Sequence, residues 1–224
     1  MDRAADPAPQ LRLAWLARLF GHLLAFYVRL VAATTRVSGP AVRQEQVILA
    51  IWHEANLAAT VAVLRLRGDK RFVSFSTRGF RGVVMNTFLG ALGADAVALP
   101  EEHAANRGEA TSLSRELARI GRAGSNLVVS CDGPWGPHRI AKPGVLIVAR
   151  ESGLPVQPWA VAVRPAWRLR GRWDRQLVPL PFGRLRVHEG KPIRIAPTER
   201  IRPRLAELQA ELELVAGAAD AGLR

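Results

Sequence analysis

One cysteine, Cys131, stands in 224 residues. A disulfide framework within the chain is thereby excluded, as is a structural zinc site built on several thiolates, and the chain suits a reducing compartment. Lysine is almost as scarce. Lys70, Lys142 and Lys191 are the only three, and arginine makes up the rest of the 32 basic residues. Acids number only 19, leaving a net charge of +13. A field of that sign favours anionic partners: nucleic acid, an acidic membrane surface, or a phosphorylated or CoA-like substrate. Apolar runs are short, and none reaches the roughly 18 uninterrupted residues of a convincing membrane span. Asp2 and Asp6 do not suit the basic n-region of a signal peptide. There is no Gly-x-Ser-x-Gly elbow, Walker loop or Gly-x-Gly-x-x-Gly fingerprint. No two histidines have metal-ligand spacing, so neither a metal nor a bound cofactor is expected.

What is present is enough for one ordinary domain with a real core, since 49% of the residues are hydrophobic and 23% charged. Residues 1–10, with two prolines and two acids, read as a loose leader. Residues 11–36 read as one long apolar helix with Arg18, His22, Arg29 and Arg36 on a narrow basic stripe. Such a helix either packs on the domain or lies in a membrane interface with its arginines reaching the headgroups. Beyond Ser38-Gly39-Pro40 the chain alternates. Strands are expected at Val47–Trp52, Phe72–Phe75, Ala96–Leu99, Leu127–Ser130, Val156–Val163, Leu185–Val187 and Ile193–Ile195. Helices are expected at Asn56–Leu66, Gly82–Leu92, Thr111–Arg122, Pro143–Glu151 and Pro203–Ala216. This alternation predicts a single α/β domain over 45–216, with a mixed, largely parallel sheet flanked by helices, and a tail at 217–224.

Three segments carry candidate chemistry. Asp132-Gly133-Pro134-Trp135-Gly136-Pro137 follows a strand directly, where open α/β sheets bind ligands, with Arg139 and Lys142 just beyond. A plain rigid turn would have the same composition. Trp52-His53-Glu54 follows the first long strand, and a histidine at a strand-to-helix junction suits general-base work, although a lone histidine is commonly structural. Arg164–Arg175 interleaves two tryptophans with five arginines and one acid. That is the composition of a membrane interface, an anionic lipid site, a single-strand nucleic-acid platform or a solvated charged face. No nucleic-acid-binding motif accompanies it, so nucleic acid is not the expected partner.

Taken in order, these pieces resemble the lysophospholipid acyltransferase superfamily, and most of all its bacterial branch with a Trp-His motif and an Asp-Gly-Pro-Arg-Gly-Pro loop. The resemblance is carried by Trp52-His53, Asn106-Arg107-Gly108, Asp132–Pro137, Lys142-Pro143-Gly144, Ser152–Pro158 and Trp173-Asp174-Arg175 with Pro179 and Pro181-Phe182 behind it, over roughly residues 45–195. It implies acyl transfer from an acyl thioester, acyl-CoA or acyl-carrier protein, to a hydroxyl or amine of a lipid-like acceptor. It also implies peripheral attachment at an anionic membrane surface, on the cytoplasmic face. His53 matches the general base and Arg107 the basic residue that meets the acceptor's anionic group. Gly133, Gly136, Arg139, Lys142 and Pro158 are the remaining candidates for substrate contact. Three departures stand out. Ala58 occupies the position, five after the histidine, where many members carry an orienting acid. Ser76–Gly82 lacks the His and Asp of a second family segment. Trp135 replaces the loop arginine. A catalytically weakened, lipid- or acyl-binding relative is therefore the alternative. The group that orients His53 is expected to be Asp132, then Glu54, then a backbone carbonyl or water.

Overall fold

The computed structural model describes residues 7–41, 45–76, 78–98, 107–133 and 135–222, with the backbone alone at 7–12 and 107–113. Helix α1 spans Pro7–Thr34 and leads into the short strand β1 (Arg36–Ser38). Strand β2 (Ile48–Ile51) passes through a 3-10 turn at His53–Ala55 into α2 (Asn56–Leu66). Then follow β3 (Phe72–Ser76), α3 (Gly79–Ala91), β4 (Asp95–Ala98), α4 (Arg107–Arg122), β5 (Asn126–Ser130) and α5 (Gly144–Ser152). Two long strands, β6 (Val156–Arg168) and β7 (Leu177–Glu189), precede the closing helix α6 (Ile201–Ala221). The strands form one seven-stranded sheet in the order β1-β7-β6-β2-β5-β3-β4. All neighbours run parallel except β6 and β7. The protein is thus an α/β domain whose mostly parallel sheet is flanked by helices and preceded by an N-terminal helix.

All four residues of β2 are buried, as expected of a parallel strand covered on both faces. Ile48 and Ala50 join a core with Leu146, Leu208 and Leu212 beneath α5 and α6. Leu49 and Ile51 join the opposite core with Val28, Val31, Val61 and Phe88 beneath α1, α2 and α3. Gly21 lets α1 lie close on α3, for a Cβ there would stand 2.6 Å from the Thr87 Cβ.

Helix α1 packs on the domain along one side and leaves an apolar side exposed. Its inner face is part of the core, yet Trp15, Phe20, Leu23 and Phe26 are each more than half exposed. By length and composition Leu13–Thr34 is apolar enough to cross a membrane, and 33% of its most apolar window is packed inside the domain. The helix begins at Pro7, inside the expected leader, and Arg36 leaves the basic stripe to enter β1. Helix α6 likewise runs on to Ala221, through most of the expected tail.

The larger difference lies in β6 and β7. The expected strand ending at Val163 continues to Arg168, and the expected Leu185–Val187 is part of a thirteen-residue strand. Ile193 makes only a single bridge to Val156. The upper part of this ribbon carries arginines because it projects past the sheet, where burial no longer imposes an apolar pattern.

Candidate active site

Ile51 of β2 lies opposite Ser130 of β5 in parallel register. His53 and Asp132 therefore both emerge two residues past the same edge of the sheet. They meet, but not through the imidazole. Asp132 is fully buried. One of its carboxylate oxygens accepts the backbone N–H of His53 at 2.8 Å, and the other accepts that of Arg139 at 2.9 Å. Asp132 thus staples the His53 turn to its own loop, and the expectation that it orients the ring is corrected.

The imidazole is held by Asp174. His53 Nδ1 is 2.9 Å from Asp174 Oδ2, with the aspartate side chain sealed from solvent and the histidine 23% exposed. Arg172 grips the same carboxylate with Nε at 2.9 Å and Nη2 at 2.8 Å, and the Gln176 backbone N–H donates to Oδ1 at 3.3 Å. Burial pushes this carboxyl's pKa up, but the hydrogen bonds and charge of Arg172, joined by His53, outweigh it and hold the pKa below the ordinary value. Ionised Asp174 fixes the proton of the neutral ring on Nδ1, which leaves Nε2 with a free lone pair.

Glu54 turns the other way, and the physical reason is its company. Its buried carboxylate accepts from His138 Nε2 at 2.8 Å, Arg139 Nε at 3.0 Å and Arg168 Nη1 at 2.8 Å, with Arg139 Nη2 also in contact. Burial raises its pKa, but these donors and the charges of Arg139 and Arg168 carry it below the usual carboxylate value. The Glu54 backbone carbonyl accepts Gln176 Nε2 at 2.8 Å. Glu54 therefore fastens the His53 turn to the ribbon and does not touch the ring.

Two glycines allow the loop to press on the histidine. A Cβ on Gly133 would stand 3.0 Å from His53 Cδ2. Gly136 has φ +78°, and a Cβ there would stand 2.7 Å from the Trp173 ring. Trp173 lies against His53 with ring centroids 5.0 Å apart at a 50° tilt. The Arg139 carbonyl accepts Gln209 Nε2 of α6 at 2.9 Å, and Lys142 donates its backbone N–H to the Cys131 carbonyl at 2.8 Å. Pro158 lies within the sheet opposite Ala50, below the edge where His53 emerges. Arg107 opens α4, but its side chain and all of Asn106 lie outside the described residues. Ala58, on α2, is wholly buried in the core that α2 shares with α1. Burial also pushes the Cys131 thiol's pKa up, which removes it as a nucleophile. Among the described residues no group of three or more His, Cys, Asp and Glu is placed to hold a metal.

The residue that sequence reasoning passed over is Asp174, named within a resembling segment but given no role. A signal was present. It is the one acid among five arginines in Arg164–Arg175, and a lone acid kept within such a run commonly has a specific partner.

No protein-family model matches the chain. A protein of Rickettsia prowazekii (strain Madrid E), itself described as uncharacterized, is 24% identical over 180 residues, covering 76% of this chain and 78% of its own. Among solved structures, the crystal structure of the 1-acyl-sn-glycerophosphate (LPA) acyltransferase PlsC from Thermotoga maritima superposes with a TM-score of 0.52 at 15% identity. The match covers 97% of this chain and 84% of that one. The likeness is one of fold: the α/β domain described above has the fold of that structure.

Proposed function

We propose that the protein is a membrane-surface acyltransferase that moves a fatty acyl group from an acyl thioester, acyl-CoA or acyl-carrier protein, to a hydroxyl or amine of a lipid-like acceptor. The observation that carries this reading is the His53–Asp174 pair at the sheet edge of an acyltransferase-like fold. In the reaction, His53 Nε2 takes the proton of the acceptor as its oxygen or nitrogen attacks the thioester carbonyl. The resulting tetrahedral intermediate collapses with cleavage of the C–S bond. The imidazolium returns its proton to the leaving thiolate, so the thiol and the acylated acceptor are the products. Asp174 is a positioning residue. It keeps the tautomer and stabilises the imidazolium while the proton is on loan.

The exposed apolar side of α1 supports attachment to the surface where a lipid acceptor resides. The basic surface is suited to an anionic donor or acceptor, and Arg107, Arg139 and Lys142 remain the proposed substrate contacts. The test is thiol release from long-chain acyl-CoA and acyl-carrier protein in the presence of mixed lysolipid acceptors. His53→Ala is expected to lower turnover by ~10²–10⁴ with an unchanged circular dichroism spectrum. Turnover within twofold of the unaltered protein would remove His53 from the mechanism.

A further inference from the structure

The register of the outer strands assembles a row of cations that the sequence scatters. Arg36 of β1 lies opposite Arg184 of β7, and Arg184 lies opposite Arg164 of β6. Directly opposed residues on neighbouring strands point to the same face, so three guanidinium groups span two strand spacings, about 10 Å. Arg186, two residues along β7, shares that face between Ser38 and Ala162. All four are exposed. Among the described residues no carboxylate forms an ion pair with any of them. Like charges directly opposed across strands destabilise their pairing. The field reaches along the strand to His188, whose pKa is lowered first by burial and then by the charge of Arg186.

The same place carries a bulge. Arg164 pairs with Arg184, but Ala166 pairs with Pro179, so Pro165 alone on β6 faces Leu180–Gly183 on β7. An open groove of about 560 Å³ results, lined by Arg164, Pro165, Ala166, Phe182, Gly183 and Arg184. Phe182 is 84% exposed and has φ 61°, a left-handed backbone that is strained for an aromatic residue. Its N–H is tied to Thr34 Oγ1, at the end of α1, at 3.2 Å. Only glycine fits next to it, because a Cβ on Gly183 would stand 2.6 Å from the Arg164 carbonyl oxygen. The chain thus holds an aromatic ring in water beside a row of arginines that have no ion-pair partner among the described residues.

We propose that this groove is a binding site for the phosphate headgroup of an anionic membrane lipid, with the phosphate on Arg164, Arg184 and Arg36 and the glycerol-proximal apolar part against Phe182. Guanidinium groups match phosphate oxygens through paired, charge-assisted hydrogen bonds. An aromatic ring beside basic residues is the composition of a bilayer interface. A soluble phosphate would use the arginines and leave Phe182 without a role, whereas a lipid headgroup uses both. The inference concerns where the protein grips lipid, not acyl transfer, and it is read by binding without turnover.

The experiment is co-sedimentation of the full chain with phosphatidylcholine vesicles, with and without phosphatidylglycerol. It compares the unaltered protein with R164Q/R184Q, with Arg36→Gln on the edge strand as an independent single change, with F182G, and with R200Q/R202Q. The last pair removes the same charge from exposed positions at the start of α6. Circular dichroism checks the fold of each. The phosphatidylglycerol-dependent part of binding is expected to fall about thirtyfold in R164Q/R184Q and about fivefold in Arg36→Gln. F182G, which suits the left-handed backbone, is expected to weaken it several-fold. R200Q/R202Q should stay within about threefold. Equal losses in the two double variants would mean that net charge alone binds the vesicles, and would overturn the site. Calorimetric binding of inorganic phosphate or glycerol 3-phosphate, with vesicle binding intact in R164Q/R184Q, would identify a soluble ligand and overturn it as well.

Discussion

The parallel part of the sheet and the β6–β7 ribbon hold the candidate site by different means. In β2 every residue is buried, and two cores meet across it. In β6 burial persists through Val163 and then gives way to exposed arginines and Trp167. His53 therefore stands just past the end of a strand fixed by packing. Asp174 arrives on a ribbon tip fixed by hydrogen bonds and ion pairs, Arg172 on Asp174, Arg168 on Glu54 and Gln176 on the Glu54 carbonyl, together with the packing of Trp173 against Gly136. The difference teaches that foldedness and catalytic alignment are separable here. Packing decides whether the domain exists, and a few polar contacts decide whether the base has its partner.

The largest effect should come from the packed side. Leu49 is 1% exposed at the centre of β2. Leu49→Ala should destabilise the domain by ~2–5 kcal/mol, through lost burial and the cavity left behind. Denaturant unfolding followed by circular dichroism measures it. A loss below about 1 kcal/mol would mean that the parallel sheet is not the stabilising half and that the contrast is drawn in the wrong place.

The second effect belongs to the ribbon. Asp174→Asn removes the counter-charge of the imidazolium and permits the wrong tautomer, because an amide can donate to Nδ1 as readily as accept. Turnover should fall by roughly 10²-fold, with a smaller drop in stability than Leu49→Ala produces. Asp132→Asn should do the reverse: it should weaken the fold through the His53 and Arg139 backbone N–H groups and lower turnover less than Asp174→Asn does. If the two variants lose turnover equally, Asp174 has no special claim on the ring.

The same contrast explains what the sequence made legible. Short apolar runs marked the parallel strands, since a strand covered on both faces must be continuously apolar. The common edge of His53 and Asp132 followed from parallel pairing alone. The side-chain partner did not follow. Asp132 was the nearer acid by strand order, but its two oxygens are consumed by backbone donors that appear only once the loop closes on itself. Asp174 lies 121 residues from His53, and its approach depends on β6 and β7 extending past the sheet as an antiparallel ribbon. Nothing in Arg164–Arg175 has the apolar alternation that would announce such an extension. The arginine row was hidden for the same reason, because register across three strands is a property of pairing and not of spacing within any one of them.

The smallest effect concerns the seam between the two regions. Glu54 belongs to the packed side by position and to the ribbon by its contacts with Arg168, Arg139 and His138. Glu54→Gln should cost ~1–3 kcal/mol, since it leaves partly buried cations with a weaker acceptor. It should also lower turnover modestly by loosening the ribbon over His53. The sign of its pH dependence follows from the direction of the shift. Burial alone would raise the Glu54 pKa, but the cations depress it below the ordinary 4.5. A depressed folded-state pKa means stability that is fully present above the unfolded value and lost as pH falls through the folded one. The gap in denaturant midpoint between the unaltered protein and Glu54→Gln should therefore be full at neutral pH, begin to shrink as pH falls through the ordinary carboxylate range, and close in stronger acid. Because Asp174 titrates in both proteins, the difference isolates Glu54. A gap that widens in acid, or one that does not change with pH, would show that Glu54 joins the regions by shape rather than by charge.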